Sequence, residues 1–392
     1  MNHAPDITNR LSITDEGKFD TAYIPHVGWL RHEPDEEVIS LLRQGYFEAA
    51  EQAFYWLYLR PSDTFIDCGA HIGLYSIIAY RATRGATRVI AAEPNDTTAD
   101  HLEYNLRLNG VKDAQIFRSA VWMTTGHIQF IDEGAGKAAY AHAAFDEGVG
   151  GKSVSTVTLD QIVKEAGAKE ISLVKIDVEG AESEALKGGQ QAIERGLLPV
   201  LMVEFTEQNL QRRGLSTQDL IVQLKKMDYT LCEFSPELLE LVPYSSDGPI
   251  WFKNLFACRN LEQVNVRLRS ASDDNKTIAH DILGRAEACN RFKELEELDR
   301  YRSEVDGFRR QVENVEARLA MAQQAAEDNR AWAERTEQFL VKERQNSSEL
   351  RKWAERTEQF LVQERVEMVP LKDFTQRFKW LYRIFLRYKQ GE

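Results

Sequence analysis

Long apolar runs are missing from this sequence: no stretch reaches ~18 uninterrupted apolar residues, so none is expected to cross a membrane as a helix. The segment 1–12 has no basic region followed by an apolar stretch, the pattern of a secretory leader. Cysteine is scarce. The four, Cys68, Cys232, Cys258 and Cys289, stand far apart with no Cys-x-x-Cys pair, which excludes a zinc-ligand spacing and a disulfide framework. A soluble, cytosolic protein with reduced thiols is the expectation. Positive charge is short in one region only. Residues 1–260 hold 24 Lys/Arg against 37 Asp/Glu, a net of −13, whereas 261–392 hold 25 against 25. Binding a nucleic acid depends on Lys and Arg neutralising phosphates, so so acidic a surface excludes nucleic acid as the partner.

With 392 residues, 43% of them apolar, the chain can bury a sizeable core, and its length predicts two or three units. The stretch Asp63 to Ser76 organises the first. An apolar run, Thr64 to Ile66, ends in Asp67, passes through Gly69 and Gly73, and enters the apolar Leu74 to Tyr80, as a strand, tight turn and helix would. Glycines there let a ligand approach the backbone at a helix N-terminus. The spacing Asp-x-Gly-x-x-x-Gly is neither that of a P-loop nor the dinucleotide Gly-x-Gly-x-x-Gly.

Residues 1–34 carry little periodicity and read as an N-terminal arm, and Val38 to Leu57 has helical spacing. After the glycine turn come a strand, Val89 to Ala92, ending in Glu93-Pro94, and a helix, Thr97 to Leu108, stopped by Asn109-Gly110. Ala114 to Phe117 predicts a third strand, Val121 to Ile131 a hairpin, and Gly134 to Gly151 a mobile loop. Further strands are expected at Val154–Leu159, Ile171–Ile176, Pro199–Val203, Tyr229–Phe234 and Asn254–Cys258. Helices are expected at Asp160–Ala166, Glu182–Arg195 and Thr217–Lys226. This alternation predicts an α/β fold with a doubly wound, mostly parallel sheet. Ligands of such sheets sit beyond the carboxyl ends of the strands. Asp67, Glu93, Asp177 and Glu204 all end strands, and a carboxylate such as Glu93 suits the ribose hydroxyls of an adenosine-bearing cofactor. The pattern alone does not separate a nucleotide from S-adenosylmethionine.

Several of these stretches together resemble the FkbM family of S-adenosylmethionine-dependent methyltransferases. They are Gly45-Tyr46-Phe47-Glu48, Asp67-Cys68-Gly69-Ala70-His71-Ile72-Gly73-Leu74-Tyr75-Ser76, Ala92-Glu93-Pro94 and Val157-Thr158-Leu159-Asp160. Val174-Lys175-Ile176-Asp177-Val178-Glu179-Gly180-Ala181-Glu182 followed by Leu186-Lys187-Gly188-Gly189 is the most recognisable part, and Val203-Glu204-Phe205 fits as well. The resemblance runs in one order over roughly residues 40–260. It departs at position 71, where the family usually has Asn and this chain has His71. It implies a class I methyltransferase, Rossmann-like, with a seven-stranded sheet whose last pair is antiparallel, and O-methylation of a hydroxyl on a sugar, glycan or polyketide. It also implies that Asp67, Gly69 and Gly73 line the methionine and ribose end of the cofactor, with His71 beside them. Glu93-Pro94 would meet the ribose hydroxyls, Ser119 and Ala120 the adenine, and Asp177 and Glu179 the methyl group and acceptor.

Methyl transfer is an in-line displacement, so the protein must mainly align donor and acceptor, which is worth up to ~7–11 kcal/mol. A base raises the reactivity of a sugar hydroxyl; Asp177 or Glu179 is the first candidate, then Glu204, with His71 or His127 behind. Asp177, Glu179 and Glu204 could also hold Mg²⁺, an oxygen-seeking ion, though no metal is favoured. Against these readings, Glu179 and Glu182 also suit the start of a helix through its dipole, and Cys68 fits a small buried hydrophobe.

Beyond residue 260 the pattern changes. Leu298, Val305, Val312, Leu319 and Ala326 recur every seven residues, with Tyr301, Phe308, Val315 and Ala322 three behind the first four: a heptad seam. Trp332 to Val341 then repeats as Trp353 to Val362, offset by 21 residues, or three heptads. This predicts an oligomeric coiled coil over 298–369, and residues 295–369 as one helix would make a rod of roughly 110 Å. After Pro370, Leu371 to Lys389 carries six Lys/Arg and one acid around an apolar stripe of Leu371, Phe374, Phe378, Leu381, Phe385 and Tyr388. Such a helix reads as a membrane-surface anchor or a docking helix for a partner protein.

The expected layout is thus an arm and helices at 1–60, the methyltransferase domain at 61–260, a connector at 261–294, the coiled coil at 295–369 and a basic amphipathic tail at 370–392. The expected function is O-methylation of a glycan hydroxyl by a homo-oligomer at the inner face of a bacterial membrane, modifying or terminating a surface polysaccharide. The alternative is a catalytically silent head whose rod and tail recruit a partner. A nicotinamide-dependent enzyme ranks third, because the glycine spacing is wrong for it.

Overall fold

The computed structural model describes residues 19–33, 37–45, 47–131, 142–144, 152–167, 171–245, 250–327 and 333–367. Two units result, Met1–Glu287 and Ala288–Glu392.

The first described element is a hairpin where the sequence pattern predicts an arm. Strands β1 (Asp20–Ile24) and β2 (Gly28–His32) pair antiparallel. Ala22, Ile24 and Leu30 are buried, the period-two signature of a strand with one covered face, but over too few residues to stand out in the sequence. Helices α1 (Glu37–Gln44) and α2 (Ala49–Tyr58) follow, and Phe54 of α2 packs on Phe256 with ring centroids 4.1 Å apart.

The alternation then runs β3 (Thr64–Cys68), α3 (Leu74–Ala82), β4 (Arg88–Ala92), α4 (Asp96–Leu108), β5 (Gln115–Phe117). Three short strands, β6 (Ala120–Val121), β7 (Gly126–Ile131) and β8 (His142–Ala144), lead to β9 (Lys152–Val157). Next come α5 (Leu159–Ala166), β10 (Leu173–Ile176), α6 (Glu182–Gly188), α7 (Gln190–Glu194), β11 (Val200–Thr206) and α8 (Glu207–Gln211). The unit is completed by α9 (Thr217–Lys226), β12 (Thr230–Ser235), β13 (Glu240–Pro243), β14 (Phe252–Cys258) and α10 (Leu261–Arg269).

The main sheet has the order β13-β12-β14-β11-β10-β3-β4-β5. From β11 to β5 the neighbours are parallel, and β14 is antiparallel to both β11 and β12. Eight strands therefore stand where seven are expected, the addition being β13, which turns back onto β12 as an edge. Buried side chains of β3 alternate, Phe65 into the core that holds α2, α3 and α10 and Ile66 into the core that holds α5, α6 and α9. The chain winds from β3 to β4 on one side and reaches β10 on the other, so the crevice between the ends of β3 and β10 is the switch point where such sheets bind ligands.

Residues 121–131 do not form the predicted hairpin. β9 lies between β6 and β7 in a second sheet, β6-β9-β7-β8, parallel to β6 and antiparallel to β7. Of the predicted mobile loop, 134–151, only β8 is among the described residues. The single helix predicted at 182–195 is two, α6 and α7. A Cβ on Gly188 would lie 2.1 Å from the Trp122 carbonyl oxygen and one on Gly189 2.8 Å from Leu159, so the break lets the second sheet and α5 approach closely.

Helix α11 (Asp273–Glu327) begins inside the first unit, where Asn275 donates to the carbonyls of Trp56 and Ala82 at 2.8 and 3.0 Å. The predicted connector 261–294 is thus largely part of that unit's core. In the second unit the predicted single rod is a helical hairpin: α11 ends at Glu327, and α12 (Ala333–Glu367) runs back along it. Phe308 meets Trp353 edge-on with centroids 4.6 Å apart, Ser347 donates to Glu316 at 3.4 Å, Arg309 pairs with Glu358 at 3.4 Å, and Arg351 pairs with Glu316. Tyr301, Val305 and Val312 of the heptad seam are buried. Part of the seam that predicts an oligomer, Phe308 among it, thus packs against α12 of the same chain. The amphipathic tail, 370–392, lies outside the described residues.

Candidate active site

A cleft of about 250 Å³ opens at the switch point, and its lining includes Asp67, Gly69, His71, Glu93, Pro94, Ala120, Asp177, Glu179 and Glu204. Two predicted residues are not among them. Gly73 has φ 94° and precedes α3, and a Cβ there would lie 2.9 Å from Leu102, so α4 packs closely against it. Ser119 shares a 2.7 Å hydrogen bond with Ser155 instead. His127 is exposed on β7 and also lies off the cleft, while Cys68 is buried, its thiol pushed up by that burial.

Two ends can be distinguished. At the first, Gly69 and Ala70 donate their N–H groups to the Ala92 carbonyl, both at 3.0 Å, and Asp177 donates its N–H to the Cys68 carbonyl at 3.1 Å, so the turn is stitched to β4 and β10. Ser76 donates to Asp67 Oδ2 at 2.7 Å, leaving Oδ1 buried without a partner. Burial pushes the Asp67 carboxyl up to about 6, restrained by Lys175 and Ser76. Glu93 accepts from the backbone N–H of His71 and of Asn95, both at 3.0 Å, and burial lifts it to about 7 against those two bonds. His71 has φ 48°, the left-handed conformation in which Asn and His are both enriched among non-glycine residues. That shared preference accounts for His at a position where Asn is expected. Its Nε2 is sealed from solvent without a partner, and burial lowers its pKa to about 4, so the ring is neutral at pH 7.

At the other end lie Asp177, Glu179 and Glu204, each with a carboxylate oxygen within 4.8 Å of the others'. Sequence order alone does not bring Glu204 to them; the parallel pairing of β10 and β11 does, setting Ile176 beside Val203. Glu182 accepts from the N–H groups of Val178 and Gly180, both at 3.1 Å. It thereby shapes the turn that carries Glu179, whose φ of 53° is left-handed and whose Oε2 accepts from Asn209 at 2.7 Å. Strain of this kind persists where surrounding bonds hold it. Burial first, and the Asp177 charge second, push Glu179 and Glu204 upward.

Sequence reasoning did not single out Lys175 or Glu48 as site residues. Lys175 is 4% exposed and donates to Asp177 Oδ2 at 2.7 Å. Burial opposes its charge, but Asp177 and Asp67 outweigh that and hold the ammonium above the usual lysine range. The available signal was a lysine inside the apolar run Leu173–Ile176: a charge in a fully buried strand must be paired. Glu48 accepts from Tyr75 at 2.6 Å and from Asn254 at 2.7 Å, and burial raises its pKa. Its signal is fainter, since Tyr75 and Asn254 come from distant segments.

A parallel sheet interrupted by the antiparallel β14, third from its edge, with a glycine turn and the acids Asp67 and Glu93 at its switch-point crevice, defines a Rossmann-like methyltransferase fold. Residues 67–231 match the family model of the methyltransferase FkbM domain. That stretch of the chain is a methyltransferase FkbM domain. No curated protein matches it by sequence. Solved structures similar to it include the M. jannaschii TYW2 in complex with AdoMet, at 13% identity over 62% of this chain and 86% of that one, TM-score 0.33. M. capricolum TrmK in complex with S-adenosyl-homocysteine is 11% identical over 77% of this chain and 97% of that one, TM-score 0.31. Precorrin-6y C5,15-methyltransferase from Geobacter metallireducens is 11% identical over 54% and 87%, TM-score 0.31. These likenesses assign no residue of this chain a role.

The residues present fit the cofactor. Asp67 Oδ1 and His71 Nε2 are orphaned polar atoms in the cleft, Glu93 is fixed by two backbone donors and keeps lone pairs for hydroxyls, and Gly69 has no Cβ to fill the floor. When bound, S-adenosylmethionine supplies an electrophilic methyl group on a sulfonium.

Proposed function

We propose that the enzyme methylates a hydroxyl of a sugar or glycan, with the acceptor at the Asp177–Glu179–Glu204 end of the cleft. The observation that carries this reading is the convergence of three carboxylates beyond the donor pocket. Such a site accepts hydrogen bonds from neutral hydroxyls and repels phosphates and acids. Asp177, the one carboxylate of the three with an ammonium against it, takes the proton as the methyl–oxygen bond forms, and Lys175 holds it in place. Glu179 and Glu204 orient the hydroxyl. The polysaccharide and membrane setting is the finer part of the proposal and rests on the basic aromatic pattern of 371–389.

Two measurements test it. Incubating the protein with isotope-labelled S-adenosylmethionine and a panel of glycans should give methyl-ether products in mass spectrometry, and calorimetry should show cofactor binding; absence of any cofactor binding would favour the silent scaffold. Deleting residues 370–392 should release the protein from anionic liposomes with its sedimentation mass unchanged. Undiminished liposome binding would end the anchor reading, and a changed mass would place self-association in the tail.

A further inference from the structure

A buried carboxylate cluster has two ways to tolerate its own repulsion: hold protons or hold a cation. Here Glu48, Asp177, Glu179 and Glu204 line one cleft with one ammonium, Lys175, among them. Glu204 is 8% exposed, and its Oε2 is sealed from solvent and accepts no hydrogen bond. Buried carboxylate oxygens ordinarily have partners, so this one is available to a ligand in the cleft.

We propose that Asp177, Glu179 and Glu204 bind a divalent cation of the oxygen-seeking class at the acceptor end of the cleft. Their ligand oxygens lie within 4.8 Å of one another. Opposite ligands on a calcium-sized ion stand about twice 2.3–2.6 Å apart, and on Mg²⁺ about twice 2.0–2.1 Å. A separation of this order is compatible with one oxygen-seeking ion touching all three carboxylates. Other side chains already aim the ligands: Lys175 holds Asp177 Oδ2 and Asn209 holds Glu179 Oε2, each at 2.7 Å, as outer partners of metal-bound carboxylates do. The three ligands come from the end of β10, the turn after it and β11, leaving the open side of the cleft for water or a substrate oxygen. A hydroxyl bound there would ionise more readily, since a divalent charge stabilises the alkoxide. That consequence rests on the acceptor reading above; the binding of the ion does not.

The probe is Mn²⁺ alone, followed by electron paramagnetic resonance, with Mg²⁺ and Ca²⁺ as competitors in calorimetry. One saturable site per chain is expected, weakened at least tenfold in Glu204→Gln, which keeps the shape of the side chain and removes the charge. S-adenosylmethionine binding by Glu204→Gln confirms that the variant is folded. No saturable site in the wild type, or equal affinity in a folded Glu204→Gln, overturns the proposal. Mn²⁺ bound at this site with no transfer to any hydroxyl acceptor would uphold the cation and sink the glycan reading instead.

Discussion

Asp177→Ala is expected to lower methyl transfer by about 10²–10⁴-fold, the usual worth of a positioned general base, while calorimetric S-adenosylmethionine binding persists. Lys175 makes the interpretation demanding. Removing Asp177 strands a buried ammonium, and breaking a buried pair costs about 3–5 kcal/mol, so lost activity could follow from lost stability. The double variant Asp177→Ala with Lys175→Met separates the two. Removing both charges should recover most of the thermal midpoint, because the stranded charge is gone, and should recover none of the activity, because the proton acceptor is still missing. Turnover within a few-fold of wild type in the single variant would remove Asp177 from the reaction.

Gly69→Ala should be severely damaging, since among the described glycines it meets the closest contact. A Cβ at that position would lie 1.8 Å from the carbonyl oxygen of Asp177, and the backbone φ of +77° disfavours any side chain. Neither neighbour can yield cheaply, since Gly69 is hydrogen-bonded to Ala92 and Asp177 to Cys68. A loss of about 4 kcal/mol or more, the range reserved for severe core disruptions, is expected in urea unfolding, with cofactor binding lost as well. Gly214→Ala is the control: its φ is +68° but nothing lies within 4 Å of the added carbon, so only the left-handed penalty of about 1–2 kcal/mol applies. Equal midpoints for the two variants would show that the close approach of the turn to Asp177 does not exist.

These two sites mark what was legible beforehand. The Asp67 to Gly73 turn is visible in the sequence because a strand, a tight turn and a helix each leave a local pattern within a dozen residues. The carboxylates at strand ends are visible for the same reason. That Gly69 must be glycine because of Asp177, more than a hundred positions later, is not a local property. Nor is the partnership of Lys175 with Asp177, or that of Glu48 with Asn254 across 206 positions.

The helical hairpin follows the same division. Heptad spacing in 298–326 and again in the 21-residue repeat specified an apolar stripe by itself, since a stripe needs only the period of one helix. What covers the stripe depends on where the chain turns, and α12 folding back onto α11 supplied from within the chain a partner that the spacing would equally have accepted from another molecule. The sequence alone thus determined the α/β alternation, the cofactor turn, the four strand-end acids and the heptad seam. Tertiary structure decided the strand order with its extra edge β13, the second sheet, the meeting of Asp177, Glu179 and Glu204, and the hairpin. Periodicity states which face of an element is apolar, whereas the choice of neighbour is settled by packing between segments far apart in the chain.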